Sequence, residues 1–209
     1  PADGAVNFVT SPCPSAAPQG TQVVDGVTIT ACIIPAGNLT ADLTLETGNT
    51  YGIDGTVFVG ENPITNGSAT TGVTLTIQPG VVLFGVNGED ALVVNAGSDI
   101  EAVGSVAQPI IMTSASDLVD ADRPGADLSA VAAASDGLVG GRTDARGEWG
   151  GVVINGLASI NDCAAVDRGT VNCTKDGEGG SGFFGGITDG DDSGTLRYVR
   201  VQYAGFAFS

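Results

Sequence analysis

Apolar residues in this chain come in short, mostly β-branched runs, each cut off by Gly, Pro, Asn or Asp, and nowhere do they keep a long helical spacing. The pattern is clearest in residues 73–113. There Val73-Thr74-Leu75-Thr76-Ile77 is followed by Gln78-Pro79-Gly80, and Val81-Val82-Leu83-Phe84 gives way to a polar stretch. Ala91-Leu92-Val93-Val94, Asn95-Ala96-Gly97, Ile100-Glu101-Ala102 and Pro109-Ile110-Ile111-Met112-Thr113 complete the segment. A chain built this way folds as many short strands joined by many turns. The units beginning at Val73, Ala91 and Pro109 follow one another at about 18 positions, a quasi-period that predicts stacked coils rather than a sandwich meander. Strands apolar on both sides, with no helices between them, suit an all-β solenoid whose coils bury one another's faces.

The same grammar holds on either side. Residues 1–38 read as an N-terminal cap or arm, rich at first in Pro, Ser and Ala, then passing through short runs punctuated by Asp25-Gly26 and Pro35-Ala36-Gly37. Residues 39–209 form the coil domain. Residues 39–45 alternate apolar with polar, as a half-buried strand does, and residues 195–203 read as one final strand. Two stretches break the rhythm and are expected as long loops. The first, residues 114–148, is acidic and glycine-rich with an alanine-rich piece at 130–134; the second, residues 161–194, holds two cysteines and a glycine cluster.

Composition removes several function classes. With 24 acidic against 7 basic residues, the formal charge of −17 opposes binding to a phosphate backbone or an anionic lipid surface. Divalent cations are natural partners for such a charge. There is no histidine, so Ser–His and Cys–His nucleophile systems are excluded within the chain, and Lys175 is the single lysine available for Schiff-base chemistry. Cys13, Cys32, Cys163 and Cys173 show no zinc-type spacing, and proximity favours the local bridges Cys13–Cys32 and Cys163–Cys173. An even cysteine count, a start at Pro1 and no membrane-length apolar run predict an exported protein whose leader has been removed, extracellular or on the cell surface.

Four segments together carry a family resemblance: Leu75-Thr76-Ile77-Gln78-Pro79-Gly80-Val81, Pro109-Ile110-Ile111-Met112-Thr113-Ser114, Glu148-Trp149-Gly150-Gly151-Val152-Val153-Ile154 and Ser193-Gly194-Thr195-Leu196-Arg197-Tyr198-Val199-Arg200-Val201. The chain resembles secreted bacterial right-handed parallel β-helix surface proteins. That resemblance implies the handedness of the coil and no particular reaction, since the family supplies no catalytic residues to carry over.

The candidate sites are few. Asp189-Gly190-Asp191-Asp192-Ser193-Gly194 places oxygen side chains at alternate positions around a turn, so Asp189, Asp191 and Ser193 are the expected calcium ligands. Arg200 stands where an EF-hand would have its bidentate Glu, so further oxygens would come from elsewhere, such as Asp176 or Glu178. Asp189, Asp191 and Asp192 beside Arg197 and Arg200 are the groups that could serve a polysaccharide lyase or glycosidase, a reading that otherwise rests on fold analogy. Trp149 reads as a core or cap residue, and Phe183 and Phe184 as plugs at the base of the second loop. Asn38, Asn66 and Asn172 open N-glycosylation patterns that matter only in a eukaryotic source. Phe206 and Phe208, after the last patterned strand, are expected to meet another copy or further coils. The sequence thus favours a structural or adhesive β-helix, a calcium-stabilised subunit of a stacked assembly or filament, over a carbohydrate-binding or polysaccharide-degrading one.

Overall fold

A computed structural model describes residues 4–66, 72–119 and 146–205. The alanine-rich piece, most of the first expected loop, Phe206 and Phe208 lie outside these residues. The described chain is all-β apart from the short helices α1 (Pro63–Asn66) and α2 (Ala115–Val119) and one 3-10 turn.

The strands are β1 (Ala5–Asn7), β2 (Gln19–Val24), β3 (Val27–Leu39), β4 (Leu43–Leu45), β5 (Thr50–Val59), β6 (Thr74–Ile77), β7 (Val82–Gly85), β8 (Ala91–Val94), β9 (Asp99–Val103), β10 (Ile110–Ser114), β11 (Gly151–Ile154), β12 (Thr174–Asp176), β13 (Phe183–Gly185), β14 (Gly194–Arg197) and β15 (Val199–Val201). They build three faces, visited in the same order on each circuit. The first face runs β3-β5-β7-β10-β15, the second continues from the ends of β3 and β5 to β8 and β11, and the third is β4-β6-β9-β14. Pairing between successive circuits is parallel on every face.

Period-two alternation explains what each face buries. On the first face Cys32, Tyr51, Leu83 and Met112 follow one another in register and point inward. On the third, Leu43, Leu75 and Ile100 do the same, and on the second Val57 sits over Leu92. These side chains meet in one core. A second core lies on the outside of the first face, where Ile29, Ala31, Val82, Phe84 and Ile111 are covered by Phe8, Val24 and Leu118. Gly52 belongs to that arrangement: a Cβ there would stand 2.7 Å from the Phe84 ring and 2.8 Å from Ile33.

The circuits are longer than the 18-position quasi-period. Thr50 pairs with Val82 and Val82 with Ile111, and Leu43 pairs with Leu75. The apparent repeat joined strands of different faces, because corners and strands alternate at similar spacing all the way round. Two expected strands are also divided by corners. The 39–45 run ends β3 on one face and starts β4 on another, and the 195–203 run breaks at Tyr198, whose φ of 51° turns the chain from β14 into β15. Pro35-Ala36-Gly37 does the reverse: it bends β3 at a register shift instead of ending it.

At the N-terminal end, Asp25 and Gly26 both have positive φ, the two-residue turn that joins β2 and β3 as a hairpin. Cys13 is bonded to Cys32, tying residues 8–18 over that end of the core, where Val9, Cys13 and Ala17 pack. Cys163 is bonded to Cys173 with a Cα separation of 5.3 Å, and no described cysteine is free. Both bridges are those expected from sequence proximity.

Candidate functional site

The second excursion, between β11 and β14, carries the candidate groups. Within it β12 and β13 form an antiparallel hairpin around a 3-10 turn at Glu178–Gly180. The chain then returns through residues 189–194. Along that return each carboxylate accepts a backbone N–H from a different residue. Asp189 Oδ1 accepts from Ser159 at 3.0 Å, Asp191 Oδ2 from Leu157 at 2.7 Å and Asp192 Oδ1 from Gly194 at 3.0 Å. The Ser193 hydroxyl donates to the Asn155 carbonyl at 3.4 Å. The Asp189, Asp191 and Ser193 bonds stitch the return to residues 155–159, and the Asp192 bond closes the turn on itself, as short polar side chains do. Hydrogen bonds from Ser159 hold the Asp189 carboxyl below its ordinary value.

Asp191 and Asp192 have an opposite effect on a neighbour. Burial first, then the charges of Asp192, Glu101 and Asp191, push the Asp99 carboxyl above its ordinary value. Its ionised form is therefore disfavoured in the fold, and stability falls as pH rises through the raised value. Asp99→Asn is expected to raise the melting temperature at pH 7 and to have no such effect near pH 3, below the ordinary carboxylate range of about 3.9. The gain at pH 7 should shrink in high salt. Thermal melts of both proteins at the two pH values check this.

The residues expected as calcium ligands or catalytic groups each have their own partners, although Asp191 and Ser193 both stand beside Gly156. Asp189 and Asp191 bind different backbone groups, the Arg197 guanidinium lies 5.8 Å from the Tyr198 ring centre, and Asp176 and Glu178 line two different clefts. Among the described residues no three Asp, Glu or Cys side chains are grouped to hold one metal ion.

What the structure does bring together is a set of buried amides beside the hairpin. Asn95 and Asn155 each follow the last residue of a second-face strand, their backbone N–H groups bonding Val59 and Val94 one circuit below. The Asn95 amide donates to the Gly60 carbonyl at 2.8 Å, Asn155 to Ser181 at 2.7 Å and Asn62 to Phe183 at 3.0 Å. Asn155 and Asn62 thereby pin the hairpin to the second face. Gly182, with φ of 87°, fits between them: a Cβ would stand 3.0 Å from both Asn62 Nδ2 and Asn95 Oδ1. Asn95 is 2% exposed, yet among the described residues its Oδ1 has no hydrogen-bond partner. An unpaired buried acceptor costs roughly 1–3 kcal/mol. The signal for this set was present in the sequence as Asn closing the apolar runs Val93-Val94 and Val153-Ile154, although such an Asn is also an ordinary turn residue.

Clefts open on both sides of the hairpin. One, of about 390 Å³, is lined by Asn38, Phe58, Asn62, Asn95, Asp176 and Phe183, with Gly180 and Gly182 at its edge. The other, of about 500 Å³, has Val153, Ile154, Asn155, Glu178, Ser181 and Phe184 along it. Phe183 and Phe184 thus form walls of opposite clefts.

Parallel pairing on three faces around one core finds its counterpart in a family model: residues 37–209 match the pectate-lyase-like beta helix domain. The chain belongs to that family. No curated protein and no solved structure matches it. Membership of the pectate-lyase-like β-helix family accords with the stacked strands, and the match includes the hairpin with its amides. No helix among the described residues is long and apolar enough to cross a membrane.

Proposed function

We propose that this protein is an exported scaffold, a right-handed parallel β-helix that associates with a second copy through the end of the stack formed by β14 and β15. The observation that carries the reading is the exposure of inward positions at that end. Leu196 and Val201 are 48% and 49% exposed, whereas Ala102 and Met112, their partners one circuit below, are 0% and 1% exposed. Inward-facing apolar side chains left exposed at the last rung, beside strand edges with no partner among the described residues, favour association. The opposite end is covered by the disulfide-tied arm, so a tail-to-tail pair suits the molecule better than a head-to-tail filament. Arg197 and Arg200 lie on this rung and locally offset the charge of −17 that otherwise separates two copies. Two disulfides support an oxidising, extracellular location.

Light scattering over a range of protein concentrations tests the association. The expected result is a dimer that strengthens with salt, as screening weakens the repulsion between acidic copies, and that Val201→Glu returns to monomer. A wild-type monomer at every concentration would remove this reading. Calcium at the 189–194 turn is a further part of the proposal, supported by the crowding of Asp191 and Asp192 around Asp99. It requires a melting temperature that rises with millimolar calcium in the wild type and stays fixed in a variant carrying Asp189→Ala and Asp191→Ala.

A further inference from the structure

We propose that the rim at the N-terminal end of the stack, between the disulfide-tied arm and the open edge of β4, takes up an extended, cationic segment of a partner protein as an added strand. This surface lies opposite β14 and β15, and its occupation is independent of the association there. The arm covers the core at this end but leaves the strand edges of the second and third faces open. Gly60 donates its N–H to the Leu39 carbonyl and Gln78 to that of Leu45, so Leu39 and Leu45 turn their peptide groups toward the next circuit. Alternation along the strand directs the N–H and C=O of Asn38 and Thr44 the other way, where no strand is paired among the described residues. Both residues are exposed. An extended peptide that joins a sheet completes such a row of backbone donors and acceptors.

Shape argues for a single strand. A recess of about 580 Å³ runs along this edge, walled by Pro14 and Ala16 of the arm on one side and by Asn38, Asp42, Thr44 and Glu46 on the other. Pro35, which has no N–H to donate, and the register shift between Pro35 and Gly37 interrupt the rim on its first-face side. Such devices keep the edges of folded sheets from pairing with one another. Two copies joined rim to rim would also bring Asp42 and Glu46 against like charges, on top of a net charge of −17 each.

Charge sets the chemistry of the incoming segment. Asp42 and Glu46 are exposed, stand immediately before and after β4, and share the recess with no Lys or Arg. One Asp42 oxygen accepts the Thr74 N–H at 2.8 Å, which fixes the side chain at the edge and leaves a second acceptor oxygen for a ligand cation. Lysine or arginine at alternate positions of an added strand lies on one side of it and meets both carboxylates. Small apolar residues between them fit against Pro14 and Ala16. The arm wall is set before a peptide arrives, because Cys13 is bonded to Cys32 and the N–H groups of Thr10 and Ser11 donate to Asn49 Oδ1 at 2.9 and 3.1 Å.

Fluorescence polarisation of labelled heptapeptides titrated with the intact protein tests the rim. A peptide alternating lysine with valine is expected to bind saturably, and its counterpart with glutamate in place of lysine is expected to show no binding. Methylating the backbone nitrogens along one edge of the lysine peptide should weaken binding roughly tenfold or more, because the added-strand hydrogen bonds are lost. Asp42→Asn and Glu46→Gln change exposed side chains and should each weaken it roughly three- to fivefold. Thr44→Pro removes the outward N–H and spares the pairing with β6, so it should also weaken binding, and its melting curve separates lost recognition from lost folding. Glu178→Gln, beside the hairpin, should leave the affinity unchanged. The proposal is overturned if the lysine peptide does not bind, if the glutamate or backbone-methylated peptide binds as well, or if spermine displaces it as effectively as unlabelled peptide does. Affinity unchanged in both Asp42→Asn and Glu46→Gln would overturn it too.

Discussion

Trp149→Ala is expected to destabilise the protein by about 3–5 kcal/mol, the range for deleting a fully buried aromatic. Trp149 has 0% exposure and packs in the main core. Its indole also spans the junction between the second-face strand β11 and the segment after β15. The ring N–H donates to the Gln202 carbonyl at 2.7 Å, and just before it Gly147 and Glu148 donate backbone bonds to Ala204 and Tyr203. Truncation opens a cavity and leaves that carbonyl without its donor. Trp149→Phe keeps most of the packing and loses the hydrogen bond, so its cost should be much smaller, on the order of 1–2 kcal/mol. Urea unfolding followed by circular dichroism measures both, since the variants lack the tryptophan signal. A loss under about 1 kcal/mol for the alanine variant would contradict the placement of this side chain in the core.

The second large effect belongs to Asp90. It is 0% exposed, and its carboxylate works as a backbone staple: Oδ1 accepts from Gly55 at 2.8 Å, while Oδ2 accepts from Val86 at 2.5 Å and Asn87 at 3.0 Å. The donors belong to two successive circuits, the bend of β5 and the turn after β7. Asp90→Ala strands three N–H groups, and at roughly 1–3 kcal/mol for each group that stays unsatisfied the expected loss is about 3–5 kcal/mol. Asp90→Asn should recover only part of it, because an amide nitrogen must then face donors that need an acceptor. Equilibrium unfolding of the three proteins tests the order wild type, Asn, Ala. An alanine variant as stable as the wild type would show that water or a backbone shift satisfies these donors.

Much of the architecture was legible because strand runs and turn residues carry their signals locally. The run Leu75-Thr76-Ile77 became β6, Asp25-Gly26 became a hairpin turn, and each cysteine bonded its near neighbour. Corners were harder to read. A polar-apolar alternation continues through Tyr198 even though the chain turns there, because a corner in this fold needs only one residue of unusual φ, and tyrosine gives no warning of it. The outer core on the first face was missed for a related reason. Phe84 and Ile111 sit in runs that are apolar on both sides, which the sequence explains equally well by burial between coils. At the candidate site, the acidic turn was legible from its oxygen side chains at alternate positions, whereas the backbone donors its carboxylates accept depend on the fold. The amides of Asn62, Asn95 and Asn155 are far apart in sequence, and only the register of the second face brings them together around Gly182.

The claim on which the functional account turns is that the rung of β14 and β15 is covered by a second copy. Amide hydrogen exchange measured across protein concentration addresses it at the residues concerned. The account predicts that exchange in Gly194–Arg197 and Val199–Val201 slows as concentration rises, while exchange in β1 and β2 at the opposite end does not change. Exchange in β14 and β15 that is independent of concentration, or protection that grows only at the N-terminal end, would contradict it.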